Sequence, residues 1–110
     1  INPFGKTLWE GTWSSGSITV NDVSKYSLLE VTVTGDIPIL AYNDGSRVRV
    51  LGVTGTSSQN FFSGYFDVSG NTCTFGAIAR LVHTASGNHS AAVTTWSITK
   101  IVGLVPYWGS

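Results

Sequence analysis

Hydrophobic and polar positions alternate with a period of two through most of this chain, the pattern of strands with one buried face. From Lys6 to Trp13, the residues Thr7, Trp9, Gly11 and Trp13 share one side, and Lys6, Leu8, Glu10 and Thr12 the other. Ser14-Ser15-Gly16 reads as a turn, Ser17 to Val20 as the next strand, and Asn21-Asp22-Val23-Ser24 as a second break. Tyr26 to Thr34 alternates most clearly, with Leu29, Val31 and Val33 opposite Leu28, Glu30, Thr32 and Thr34. Gly35-Asp36 interrupts it and Ile37 to Tyr42 resumes, Pro38 favouring an edge or first-residue position because proline has no N–H to give a ladder. Asn43-Asp44-Gly45 is the clearest hairpin turn, since these residues tolerate the positive φ such turns require. It feeds Ser46 to Val53, where Arg47, Arg49 and Leu51 oppose Val48 and Val50.

Beyond the loop Gly55-Thr56-Ser57-Ser58, an aromatic strand runs from Gln59 to Val68, and Ser69-Gly70-Asn71 turns the chain into Thr72 to His83. There Cys73, Phe75, Ala77, Ala79 and Leu81 share a face. Thr84 to Ser90 is a polar loop, and Ala91 to Val105 is a strand pair or one long bent strand with a bulge at Gly103. No window supports a helix of useful length. Turns at this spacing predict one all-β domain over residues 1–110, an antiparallel β-sandwich or jelly roll of about eight strands.

Composition changes what that domain is for. Ser, Thr and Gly together number 40 of 110 residues, whereas only 11% are charged, against about 25% in ordinary domains. A surface with so little charge is built from hydroxyls, amides and glycine, or is partly hidden against other subunits. Charge is balanced, six against six, with no basic run to follow a phosphate backbone, so nucleic acid is not an expected partner. No apolar run reaches the ~20 residues needed to span a bilayer, and membrane insertion is not expected. The start Ile1-Asn2-Pro3-Phe4-Gly5, without Met, reads as a piece of a longer polypeptide.

Catalytic chemistry finds little support. Only His83 and His89 can serve as imidazole bases, and no nucleophile elbow is present. Glycoside hydrolysis needs two carboxylates at a set separation; Glu10 and Glu30 lie on predicted strands, where they can flank a groove or equally pair with Lys6, Arg47, Arg49 or Arg80, while Asp22, Asp36 and Asp44 sit in turn sequences. No loop holds a dense ligand set, so no metal and no cofactor are expected. Cys73, alone in Thr72-Cys73-Thr74-Phe75, reads as a buried thiol. Asn88-His89-Ser90 matches a glycosylation sequon, a pattern that arises by chance.

Recognition is better served. Sugars are gripped by aromatic faces and planar hydrogen-bonding side chains, and loops held by strands are the usual place for them. Two regions fit: the hairpin Tyr42-Asn43-Asp44-Gly45 leading into Arg47 and Arg49, and the loop holding Asn88 and His89. Tyr42 offers a stacking face, Asp44 an acceptor for paired hydroxyls, and Arg49 a donor fork. Asp44-Gly45 serves equally as plain turn chemistry, and the arginines as solubilising groups on an edge strand. Tyr107 and Trp108 lie in the tail, folded back or exposed for contact. Trp9, Trp13 and Trp96 are expected in the core or between subunits, together with Leu29, Val31 and Phe75.

Several segments resemble a known family. Thr7-Leu8-Trp9-Glu10-Gly11 followed by Gly16-Ser17-Ile18-Thr19-Val20, then Tyr26-Ser27-Leu28-Leu29-Glu30-Val31, Ser86-Gly87-Asn88-His89-Ser90 and Ile98-Thr99-Lys100-Ile101-Val102-Gly103-Leu104, resemble in order the C-terminal domains of phage and prophage tail-fibre or minor structural proteins. The resemblance implies a virion fibre head that recognises a host cell-surface polysaccharide or other receptor as a homotrimer, and it brings no catalytic residues. Pro106 to Ser110 extends past the pattern. The competing readings are a trimerisation cap that binds nothing, a carbohydrate-binding module of a secreted hydrolase, and a hydrolase using Glu10 or Glu30.

Overall fold

The alternating segments become strands almost one for one, because each has a complete apolar face to bury. The computed structural model describes residues 5–34, 37–54, 59–83, 89–92 and 97–107. Among these residues nine strands follow in order: β1 (Lys6–Trp13), β2 (Ser17–Thr19), β3 (Tyr26–Val33), β4 (Ile37–Asn43), β5 (Arg47–Thr54), β6 (Gln59–Ser69), β7 (Thr72–His83), β8 (His89–Ala92) and β9 (Ile98–Pro106). Among the described residues the only helical piece is one 3-10 turn, Val23–Lys25, in the break expected between β2 and β3.

Every ladder is antiparallel. Eight strands form a single path, β1-β9-β3-β4-β5-β6-β7-β2, with β8 added beside β7. The two ends of this path, β1 and β2, are consecutive in sequence and joined only by Ser14–Gly16. That short link draws the sheet's edges together, so the sheet curls nearly closed into a barrel. The all-β, antiparallel expectation of about eight strands therefore holds, but the strands ladder through one continuous sheet rather than dividing into two.

The inward faces supply the core: Leu29, Val31 and Val33 on β3 and Val48 and Val50 on β5, as the alternation predicts, with Phe62 and Phe66 on β6, Cys73 and Ile78 on β7, and Ile98 and Ile101 on β9, all buried. On β7 the face expected to run from Cys73 through Ala77 changes sides, Ala77 being exposed, where the β6–β7 register shifts between Tyr65 and Phe66. Trp13 closes it, edge-on to Phe66 at 5.2 Å and to Phe75 at 5.3 Å between ring centroids, a geometry that aligns a ring's positive edge with its neighbour's negative face. Its indole N–H donates to the Gly16 carbonyl at 3.2 Å, which also accepts from the Phe75 N–H at 2.9 Å. One carbonyl thus ties the closing turn to both sides of the seam. Trp9 departs from strict alternation, because the β1–β9 register shifts between Thr7 and Trp9; Leu8 and Trp9 both lie half-buried against the core. Trp96 lies outside the described residues.

Pro38 occupies an edge only locally. β4 pairs with β3 along Leu28–Val33, but with β5 at just three positions, Ala41 with Val50, Tyr42 with Arg49 and Asn43 with Val48. On its β5 side, Pro38 therefore has no ladder hydrogen bond to forgo.

Candidate binding face

An outward side chain on a curled sheet is normally polar, and on β4 and β5 this rule fails. Leu40, Tyr42 and Leu51 are 55%, 56% and 68% exposed. β4 is apolar in both phases, with Ile39 and Ala41 buried inward and Leu40 and Tyr42 left outside. Cross-strand register carries this surface over the sheet: Leu28 lies opposite Tyr42, Tyr42 opposite Arg49, and Arg49 opposite Tyr65. Two adjoining hollows result. One, of about 220 Å³, is walled by Leu28, Leu40 and Tyr42; the other, of about 390 Å³, by Arg47, Ser63 and Tyr65; Arg49 and Leu51 belong to both.

The hairpin between β4 and β5 fixes the polar groups beside them. Asp44 Oδ1 accepts from the Ser46 and Arg47 backbone N–H groups at 3.0 and 2.9 Å and from the Ser46 hydroxyl at 3.2 Å. Its Oδ2 accepts a hydrogen bond from Arg49 Nη1. Bonds from the Ser46 backbone first, then the Arg49 guanidinium and the Arg47 backbone, hold the Asp44 carboxyl well below the usual carboxylate range. Arg47 donates from Nε to Asp67 at 2.7 Å, and its guanidinium carbon stands 4.0 Å from the Tyr65 ring centroid, a cation–π contact. The Asp67 bond also raises the Arg47 pKa, keeping it charged. Tyr65 lies flat because Gly76, across the ladder on β7, has no side chain: a Cβ there would come 2.3 Å from the ring.

Of the residues proposed from sequence, Tyr42, Asp44, Arg47 and Arg49 are brought together here. Tyr107 joins them from the tail. Its N–H donates to Lys25 O at 2.8 Å and its hydroxyl to Asn43 O, and burial, with Tyr42 and Asp44 nearby, raises its pKa. Asn43 has a different part. It is fully buried, its Nδ2 donates to Val23 O at 3.3 Å and Tyr26 O at 3.0 Å, and its Oδ1 accepts from Gly45 N–H at 2.9 Å. With its amide engaged inside the fold, it supports the hairpin rather than reaching a ligand. Asn88 and Trp108 lie outside the described residues. The His89 backbone pairs with His83, at the Gln59 end of the β6–β7 ladder, while Asp67 and Arg47 lie at the other end. Eight residues of strand, about 27 Å, separate the His89 backbone from the hairpin.

Leu40, Leu51, Ser63 and Tyr65 complete the face, and none was singled out from sequence. The double-phase apolarity of Ile37 to Tyr42 was the available signal. Elsewhere, Glu10 and Glu30 sit on β1 and β3, two strands and two residues apart by register through β9, with backbones about 12 Å apart. Burial pushes the Cys73 thiol up to about 12, and the side chain is fully enclosed. No three His, Cys, Asp or Glu side chains gather as metal ligands among the described residues, and no helix there is long and apolar enough to cross a membrane. No protein family, curated protein or solved structure matches the chain.

Proposed function

We propose that this chain is a virion fibre-head domain, extracellular and homotrimeric, that attaches a phage to its host by gripping a cell-surface polysaccharide on the β4–β5 face. The observation that carries this reading is Tyr42: an exposed aromatic on a rigid strand, flanked by exposed Leu40 and Leu51 and beside an Asp44–Arg49 pair already held in place. An apolar ring face with fixed donors at its rim suits a sugar, whose C–H surface stacks while its oxygens are bonded edge-on. The ordered resemblance to fibre-head domains points the same way, and the sparse charge of the surface suits a particle component sealed between subunits. The domain binds rather than catalyses in this reading, without cofactor, metal, nucleic acid or membrane insertion.

Host-cell or cell-wall binding by the isolated domain tests it. Tyr42→Ala and Leu51→Ser should remove binding without lowering the melting temperature, since both side chains are more than half exposed. Undiminished binding in both would move the site elsewhere. Light scattering at micromolar concentration should give three times the mass of the chain, and a monomer mass would refute the trimer.

A further inference from the structure

We infer that the ligand of this face is acidic: the hollow between β5 and β6 is a subsite for a carboxylate or phosphodiester group carried on a surface glycan. This rests on the recognition reading above and names the ligand class. The hollow's charged wall groups are Arg47 and Arg49, with no carboxylate among them. Asp44 and Asp67 grip the two guanidinium groups from outside its lining. Each arginine gives up one nitrogen to that grip, Arg47 its Nε and Arg49 its Nη1. The remaining nitrogens have no other partner among the described residues, and a guanidinium only donates.

A neutral sugar brings hydroxyls that both donate and accept, and in this hollow the side chains able to receive their protons are the Ser63 and Tyr65 hydroxyls, beside two groups that only donate. A carboxylate or phosphodiester presents acceptors alone, which is what two donor forks require. The forks are also fixed beforehand. Arg47 is braced by Asp67 and by the Tyr65 ring, and Arg49 by an Asp44 carboxylate that the hairpin backbone holds. Side chains ordered before the ligand arrives lose less freedom on binding. The space of about 390 Å³ lies at the small end of ligand pockets, room for an acidic group and its ring, while Tyr42 and Leu40 line the adjoining hollow for the next residue of the chain. Because Asp44 and Asp67 balance the two arginines, geometry rather than bulk charge selects the ligand.

Calorimetry with three oligomers of equal length tests this: a uronic-acid oligomer, a glycerol-phosphate oligomer and a neutral glucose oligomer, with duplex DNA as a plain polyanion. At least one acidic oligomer should bind about tenfold or more tightly than the neutral one, as expected for losing a charged hydrogen bond, and the two acidic arms distinguish carboxylate from phosphodiester. Arg49→Gln should weaken that oligomer about tenfold or more, and Arg49→Lys should restore only part, since it returns the charge without the fork. Arg49 is more than half exposed, so both variants should melt like the parent. Equal binding of neutral and acidic oligomers, or equal binding of DNA, overturns the inference and leaves host recognition standing. Host-cell binding that survives Arg49→Gln does the same. Failure to bind any oligomer or any host cell overturns both.

Discussion

Replacing Asn43 by Ala separates support from recognition at the hairpin. The side chain is fully buried and makes three hydrogen bonds, but they are unequal. Val23 O keeps a second donor, the Tyr26 N–H, and Gly45 is exposed, so water can replace its lost acceptor. Tyr26 O loses its Asn43 donor in a partly buried setting, at about 1–3 kcal/mol. The two weaker losses and the void left by the amide add about 1–2 kcal/mol together. The expected cost is about 3 kcal/mol, a large share of the 5–15 kcal/mol typical of a domain. Urea unfolding should show a lower midpoint with an unchanged slope, because the surface exposed on unfolding is the same. Asn43→Asp should be at least as damaging, since it replaces the donor with a buried acceptor facing two carbonyls. A loss under about 1 kcal/mol for Asn43→Ala would refute the anchoring role, and loss of binding at unchanged stability would return Asn43 to the ligand contacts.

Other consequences can be measured directly. Trp13→Ala should cost about 3–5 kcal/mol and abolish cooperative thermal unfolding if the seam depends on it; a melt within a few degrees of the parent would contradict the closure described. Gly76→Ala should cost about 1–3 kcal/mol by displacing Tyr65, and fluorescence quenching of that ring by solvent should rise; unchanged stability would mean the strand yields freely. Cys73 should resist alkylation at pH 8 until the protein unfolds. Its folded pKa of about 12 lies above the ordinary 9.0, so the unfolded chain releases the proton first. Stability is therefore full below about pH 9 and falls as pH rises towards 12, a loss that Cys73→Ala should reduce. Asp44 has the opposite sign: its depressed pKa favours the folded hairpin above pH 3.8, and its NMR signals should stay those of a carboxylate as pH drops below that value.

How far the sequence reached can be followed strand by strand. Where one phase is apolar and the other polar, as from Leu29 to Val33, both strand and facing were legible, because only one orientation buries the side chains. At Leu8 and Trp9 the facing failed, since a register shift in the pairing with β9 depends on a partner some ninety residues away that no local pattern announces. Continuity of the sheet was equally hidden: turn spacing counts strands but does not say which edges meet, and the β1–β2 link that joins them has only three residues. At the candidate face, Tyr42, Asp44, Arg47 and Arg49 were legible as one hairpin's worth of recognition chemistry. Asn43 looked the same as its neighbours in sequence, and only burial against Val23 and Tyr26 divides its part from theirs. Tyr65 and Ser63 come from the next strand, and pairing with β5 is what brings them in.

The pairing of β1 with β9 sets how the domain answers to a pull. Lys6 lies opposite Gly103 and Trp13 opposite Ile98, so these two strands run antiparallel side by side, one near each end of the described chain. Traction applied between residue 6 and residue 106 acts at the same end of that ladder. Antiparallel hydrogen bonds lie across the strands, and such a load opens them one after another like a zipper, instead of shearing the row at once. Tension entering through residue 6 and leaving through the β4–β5 face crosses the same strands, because Lys6, Gly103, Leu29, Ala41 and Val50 stand level in register. It too pulls across the ladder, and it opens the β1–β9 bonds from the Lys6 end. A domain tethered at β1 thus yields first where β1 meets β9, whether the load leaves through β9 or through a ligand held on Tyr42 and Arg49.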